Sequence, residues 1–297
     1  MTEYTQEYTQ ESNYLNALKD ILENGKKRET RNATTISKFG VTLNFDISTS
    51  FPLLTTKKMF WKGIYEELLW FIKADTNSKN LENKGVNIWA GNSSREYLDS
   101  IGLNTYQSGD CGPIYGFQWR HYNADYEGFD KDYTGKGIDQ LQNCIDLIKN
   151  DPTSRRIYMT AWNPIRLNEM CLPPCHVSYQ FYVENNTFSK KLSCMMYQRS
   201  GDMFLGVPFN IASTALLTYM ISHVTGLTPG SITLVIGDAH IYESHIDAVK
   251  EQLTRAPLPF PTLSFKKKHE NINDILQEDI ELNNYVSLKG ISAKMVA

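Results

Sequence analysis

The chain has 297 residues, with 30 Lys and Arg against 33 Asp and Glu, a net charge of -3, and 41% hydrophobic and 21% charged residues. These proportions exclude a disordered or polycationic chain and give nucleic acid no bulk attraction. A single chain of this length buries roughly three quarters of its unfolded surface, so its core needs no covalent staples.

Residues 1–12 are polar and acidic, lack the apolar stretch of a targeting peptide, and read as a loose tail ahead of a single domain over 13–297. In Asn13 to Asn24, Leu15, Leu18, Ile21 and Leu22 recur at helical spacing before Gly25, which predicts a helix with a glycine cap. Val41, Leu43, Phe45 and Ile47 alternate with polar residues and predict a strand. Lys62 to Lys73 is an apolar helix carrying Glu66 and Glu67, two acids that demand a reason. Residues 123–137 have no periodicity and read as a surface insertion without chemistry, ahead of a helix over 138–149.

From Ile157 the pattern turns β-like: Ile157 to Trp162, Val177 to Val183 and Leu192 to Arg199, with Glu184-Asn185-Asn186 as the turn between the last two. Met203 to Gly237 contains no charged residue, yet Pro208, Asn210 and Thr228-Pro229-Gly230 make it too interrupted for a lipid-facing helix. It predicts a buried helix over 209–225 followed by a strand, Ile232 to Ile236. Helical runs followed by strand runs, with no dinucleotide or P-loop glycine motif, predict a single α+β unit.

Five cysteines, an odd number without CxxC spacing, argue for a reducing, cytoplasmic setting. Cys111, Cys144 and Cys194 read as small buried hydrophobes. Cys175 differs, because in CLPPCH a rigid prolyl pair presents its thiol beside His176 at a strand edge. Arg199 in YQRSGDMFLGVPFN would favour the thiolate, and Asn210 offers an amide suited to a heterocycle edge, unless it merely caps the helix. Asp238, His240 and Tyr242 alternate, so a continued strand puts them on one face, as a binding platform or a solvated surface. Arg155 and Arg156 are a guanidinium pair suited to phosphate or simply an exposed loop. His240 and His245 lack metal-site spacing, and no metal is expected.

The stretches LPPCH, YQRSGDMFLGVPFNIAS, GDAHIY, SRRIYMTAWNP, FPLLTTKK, EELLWF and GPIYGFQWRH together resemble the thymidylate synthase family, from about Leu15 to about Tyr285. The resemblance implies a three-layer α+β fold with a large mixed sheet flanked by helices, paired sheet to sheet in a homodimer. It implies reductive methylation of dUMP to dTMP, with 5,10-methylenetetrahydrofolate as one-carbon donor and reductant. Cys175 would add to C6 of the uracil, with Glu67, Tyr115 and His176 moving protons and Arg199 and Asn210 completing the catalytic set. The nucleotide would be held by Arg31, Arg199, Ser200, Gly201, Asp202, Asn210, His240 and Tyr242, with Arg155 and Arg156 reaching across from the partner subunit. Folate would meet Asp202, Trp89, Asn92, Gly206, Phe209 and Val296, the last residues closing as a lid. No membrane or DNA partner is implied, and RNA binding is left open.

Three departures from the family pattern stand out. The loop after Arg31 is one residue short and lacks glycines, Ala90 and Cys111 replace the usual Asp and Leu, and the C terminus lacks Pro-His-Pro. Rival readings are a pyrimidine hydroxymethylase on the same scaffold, a Cys175-His176 acyl-transfer pair, and a non-catalytic nucleotide- or RNA-binding protein. Fewer φ > 0 conformations in the Arg31 loop predict intact chemistry with altered loop closure or phosphate affinity. A dUMP KM normal for the family would contradict that expectation.

Overall fold

The computed structural model describes residues 9–185 and 190–296. Helix α1, Glu11–Asn24, buries Tyr14, Leu18 and Ile21 along one face. It starts inside the stretch expected to be tail: Glu11 and Ser12 are helical, while residues 1–8 lie outside the described residues. Glu11 is fully buried because both carboxylate oxygens are engaged. Oε2 accepts from the Thr55 amide at 2.8 Å and hydroxyl at 2.6 Å, and Oε1 from the Thr56 amide at 2.9 Å and hydroxyl at 2.6 Å. Gly25 is not the left-handed cap that was expected, since its φ is -70°. It is needed for space: a Cβ there would stand 2.4 Å from the Ile21 carbonyl and 2.7 Å from Ile36 Cγ2.

Strands β1, Lys26–Glu29, and β2, Thr34–Asp46, form an antiparallel hairpin around Arg31. Thr30 and Ala33 close it, the Thr30 hydroxyl donating to the Ala33 carbonyl at 2.6 Å. None of its turn residues has positive φ, which is how so short a loop dispenses with glycine. Helices α2, Trp61–Ile72, α3, Ser78–Glu82, α4, Arg95–Ser100, α5, Tyr115–His121, and α6, Gln140–Asn150, follow. α5 lies hard against α2 at Gly116, where a Cβ would come within 2.1 Å of the Phe71 carbonyl oxygen. That approach brings Tyr115 toward the acids of α2. Residues 123–137 hold no helix or strand beyond an isolated bridge at the flanking Tyr122, and fold Tyr126 and Tyr133 around Phe117.

The main sheet adds β3, Tyr158–Thr160, β4, His176–Asn185, β5, Lys190–Asp202, and β6, Thr228–Tyr242, in the order β1-β2-β6-β5-β4-β3. Glu184 and Asn185 extend β4 instead of forming the expected turn, and Asn186 lies outside the described residues. β5 and β6 pair in parallel, which requires a crossover. Helix α7, Gly206–Thr225, is that crossover and packs on both strands and on α2. Its lack of charge follows from burial on nearly every side, and among the described residues no helix is long and apolar enough to cross a membrane. Helix α8, Ile246–Leu253, and a small hairpin of β7, Thr262–Phe265, with β8, Ile280–Asn283, complete the chain.

Alternation divides the main sheet into two faces. On β5, Leu192, Cys194 and Met196 are buried, whereas Met195 and Tyr197, of opposite parity, are exposed. Phe39, Tyr158 and Tyr182 on neighbouring strands are also exposed. The architecture is the α+β arrangement of a mixed sheet with helices that the sequence implies.

Glu11→Ala leaves the buried Thr55 and Thr56 donors unmatched, and is expected to cost about 3–5 kcal/mol. Denaturant unfolding against wild type checks this value.

Candidate active site

The parallel register sets Ser200, Gly201 and Asp202 beside Asp238, Ala239 and His240 at the carboxyl ends of β5 and β6. Beyond Ile236 the fully buried residues are Ala239 and Ile241, and Asp238, His240 and Tyr242 alternate with them as one polar row at the site. The His240 and Tyr242 rings meet edge-on at 4.9 Å. His240 Nδ1 lies 3.3 Å from the Asp238 carbonyl, and Arg28, which the sequence did not single out, pairs with Asp238 Oδ2 at 2.6 Å.

Arg199 holds the loop that carries the thiol. Its Nε donates to the Pro174 carbonyl and its Nη2 to the Pro173 carbonyl, both at 2.8 Å, while its backbone N–H donates to the Cys175 carbonyl at 2.9 Å. The same Nη2 stands 3.9 Å from Cys175 Sγ. Tyr115 Oη accepts the Cys175 N–H at 2.7 Å from the other side. The expected acidification of the thiol by Arg199 is only part of the balance: burial wins and raises the Cys175 pKa, with Arg199 and Tyr115 opposing. Cys175 is partly exposed, while the other cysteines are buried.

A β-bulge between His176 and Ser178 re-aims the start of β4. His176 Nε2 accepts from Asn210 Nδ2 at 3.0 Å, so Nδ1 carries the hydrogen and donates to Tyr179 Oη at 3.2 Å. Burial pushes the His176 pKa down to about 4, keeping the ring neutral. Asn210 does not cap α7, which begins at Gly206. The Asp202 carboxylate serves the approach to the helix, accepting from the Phe204 and Leu205 amides at 2.9 and 3.3 Å. The Asn210 amide is turned by Gln198, whose Nε2 donates to Oδ1 at 3.0 Å. Gln198 escaped the sequence reading, although a glutamine continuing the parity of buried Cys194 and Met196 was a visible anomaly.

The two acids of α2 have different explanations. Glu66 is the more deeply buried and pairs with Lys84 at 2.6 Å. Among the described residues Glu67 accepts only the Trp89 indole N–H, at 2.8 Å, and burial pushes its pKa up to about 7. Trp89, expected as a folate wall, is thus also the partner of the acid, and its ring lies 5.8 Å from Tyr115. The Tyr115 ring packs 4.6 Å from His176, and burial raises its hydroxyl pKa well above the usual value. Arg31 and Arg199 line one cavity of about 440 Å³ with Leu172 and Pro173. Phe209 packs against the core beside Gly206 at the start of α7, while Asn92 sits in a turn and Val296 is partly buried near the C terminus. Ala297 lies outside the described residues. Arg155 and Arg156 have no ion pair among the described residues and stand apart from Cys175; Arg155 lines a cavity with the exposed Tyr182 and Met195.

A partly exposed thiol flanked by a guanidinium, with a neutral imidazole, a high-pKa carboxyl and an oriented amide at the ends of β5 and β6, is the set of groups that covalent, cysteine-based chemistry calls for. The thymidylate synthase family model matches residues 12–297, and the chain belongs to that family. It is 54% identical over 276 residues to a human protein called thymidylate synthase, covering 93% of this chain and 87% of that one. A Herpesvirus ateles protein of the same name is 51% identical, covering 96% and 97% respectively. The maize bifunctional dihydrofolate reductase-thymidylate synthase is 53% identical over 96% of this chain, which spans only 54% of that longer protein.

Between an ordinary carboxylate pKa and about 7, folded Glu67 keeps a proton that the unfolded chain has lost, so stability falls as pH rises through that window. Glu67→Gln is expected to be about 1–3 kcal/mol more stable than wild type at about pH 8, the gap closing near pH 4. Denaturant melts at the two pH values check the sign.

Proposed function

We propose that this chain is a thymidylate synthase, converting dUMP to dTMP by reductive methylation through a covalent bond between Cys175 and C6 of the uracil. One observation carries the reading: Cys175 Sγ stands 3.9 Å from Arg199, in a loop pinned by Arg199 and Tyr115, beside the Gln198-Asn210-His176 chain. Nucleophilic addition at C6 makes C5 electron-rich, a step that uracil alone performs poorly. Arg199 favours the thiolate that must form, and substrate phosphate would join the cavity it shares with Arg31. Asn210 would offer its remaining amide hydrogen and lone pair to the uracil edge, and Ser200, Gly201, His240 and Tyr242 would border the rest of the nucleotide.

Bound 5,10-methylenetetrahydrofolate supplies the one-carbon unit and the reducing hydride. Trp89, Asn92, Gly206, Phe209, Asp202 and Val296 would border it; the open surroundings of Gly206, with nothing closer than 3.6 Å to an added Cβ, leave room for a flat ring system. Glu67, with a pKa near neutrality, suits proton transfer at C5 with Tyr115 and His176. The domain over 13–297 would act as a homodimer through its open sheet face, where exposed Phe39, Tyr182, Met195 and Tyr197 need cover. Arg155, at the rim of that face, and its neighbour Arg156 would then reach the partner's phosphate site. A cytoplasmic setting agrees with five free cysteines.

The hydroxymethylase reading is disfavoured by Asn210, because a cytosine edge calls for an acidic acceptor where this amide is held by Gln198. Purified protein with methylenetetrahydrofolate is expected to produce dihydrofolate absorbance with dUMP and not with dCMP. Cys175→Ala should lower that rate about 10³-fold or more. Absence of dihydrofolate with either nucleotide, in folded protein, would overturn the synthase reading.

A further inference from the structure

His245, in the turn between β6 and α8, is fully buried. Its Nε2 donates to the Lys294 carbonyl at 2.8 Å. A carbonyl only accepts, so in a neutral ring the other nitrogen, Nδ1, is a bare lone pair. That nitrogen has no hydrogen-bond partner and faces Asp202 Oδ1 at 3.6 Å. One imidazole thus stands between two acceptors, and only the cation, with both nitrogens protonated, can satisfy both.

The two acceptors belong to different parts of the molecule. Asp202 ends β5 and leads into α7. Lys294 belongs to the C-terminal segment, which is tied at Leu288 to the Thr55 carbonyl and at Lys289 to Arg255. Beyond Lys289, the bond from His245 is the single hydrogen bond between residues 290–296 and the rest of the described chain. The other groups around the ring are Lys57, itself buried, and the Tyr242 and Phe204 rings at 5.4 and 5.6 Å.

We propose that His245 is a positioning residue whose cationic ring ties the Asp202 carboxylate to the C-terminal segment at Lys294. This rests on the functional reading above, in which Asp202 and the last residues border the folate. A neutral ring releases one of the two acceptors and turns a lone pair toward a carboxylate, so the segment loosens. Burial opposes the charge, and Lys57 opposes it further. Asp202 and the Lys294 carbonyl outweigh them and raise the ring's pKa above its ordinary value. A raised value means that the tie is complete below the ordinary histidine pKa and is lost as pH rises through the raised one.

Methyl NMR of Ile291, Ala293 and Met295 in the full ligand-free chain, followed between about pH 6 and 9, tests the tie without any turnover. In wild type the ordered population of the segment should fall about tenfold against the loose one across that range, the worth of one charge-assisted hydrogen bond. His245→Gln, whose amide can still donate to Lys294, should give a pH-independent value. His245→Asn, whose shorter side chain reaches only toward Asp202, should be about tenfold less ordered at the acid end. In steady state both variants should raise the folate KM several-fold with little change in kcat, while dUMP binding measured alone stays at the wild-type value. Flat wild-type order, or variants that match wild type in both order and the pH profile of KM, would overturn the proposal. If wild type made no dihydrofolate, the functional reading would fail while the methyl data still judged the tie.

Discussion

The carbonyls of Pro173 and Pro174 precede β4 and belong to residues with no amide hydrogen of their own. Buried carbonyls require donors, and here one guanidinium supplies both. Because Arg199 lies near the end of β5, satisfying those carbonyls also decides where the next residue stands. Cys175 is then held through its own carbonyl and amide before its side chain makes any contact. The bulge that follows turns His176 into reach of Asn210 on α7. Remove the clamp, and the thiol, the imidazole and the amide lose their common frame.

The second organising effect is burial acting on charge. The site lies where the polar ends of β5 and β6 run out from under α7, so its groups sit in a low dielectric with few partners. Burial holds Cys175 as a thiol, His176 as a neutral ring and Glu67 near the midpoint of its titration. None of these states suits an inert surface. Together they describe a site kept uncharged by burial, with reorganisation already limited by Gln198, Tyr115 and Trp89. Arg199 serves two functions here, since the guanidinium that fixes the loop also favours the thiolate.

Much of this was legible in the linear chain. The charge-free stretch from Met203 announced a buried helix, because a helix wrapped on all sides has no place for solvated charge. Alternation announced Asp238, His240 and Tyr242 as one row, and long shared motifs announced the family before any coordinate. Glu11 was not legible: a carboxylate near a polar terminus reads as solvated, and only the fold brings Thr55 and Thr56 around it. Gly25 was misread for a related reason, since cap signals describe the local backbone and the actual demand is space beside Ile36.

The sequence by itself determined the residue types of the site and the periodicities of its elements, since both are properties of short stretches. Local patterns identify a strand or a helix because side-chain spacing depends only on neighbouring backbone geometry. Which side chains share protons and hydrogen bonds was decided by tertiary structure alone. The contacts of Glu67 with Trp89, Gln198 with Asn210, and His245 with both Asp202 and Lys294 join positions that only the folded chain brings within a few ångströms. Protonation belongs to the same class, since burial is produced by every element that packs around a group and by no single segment.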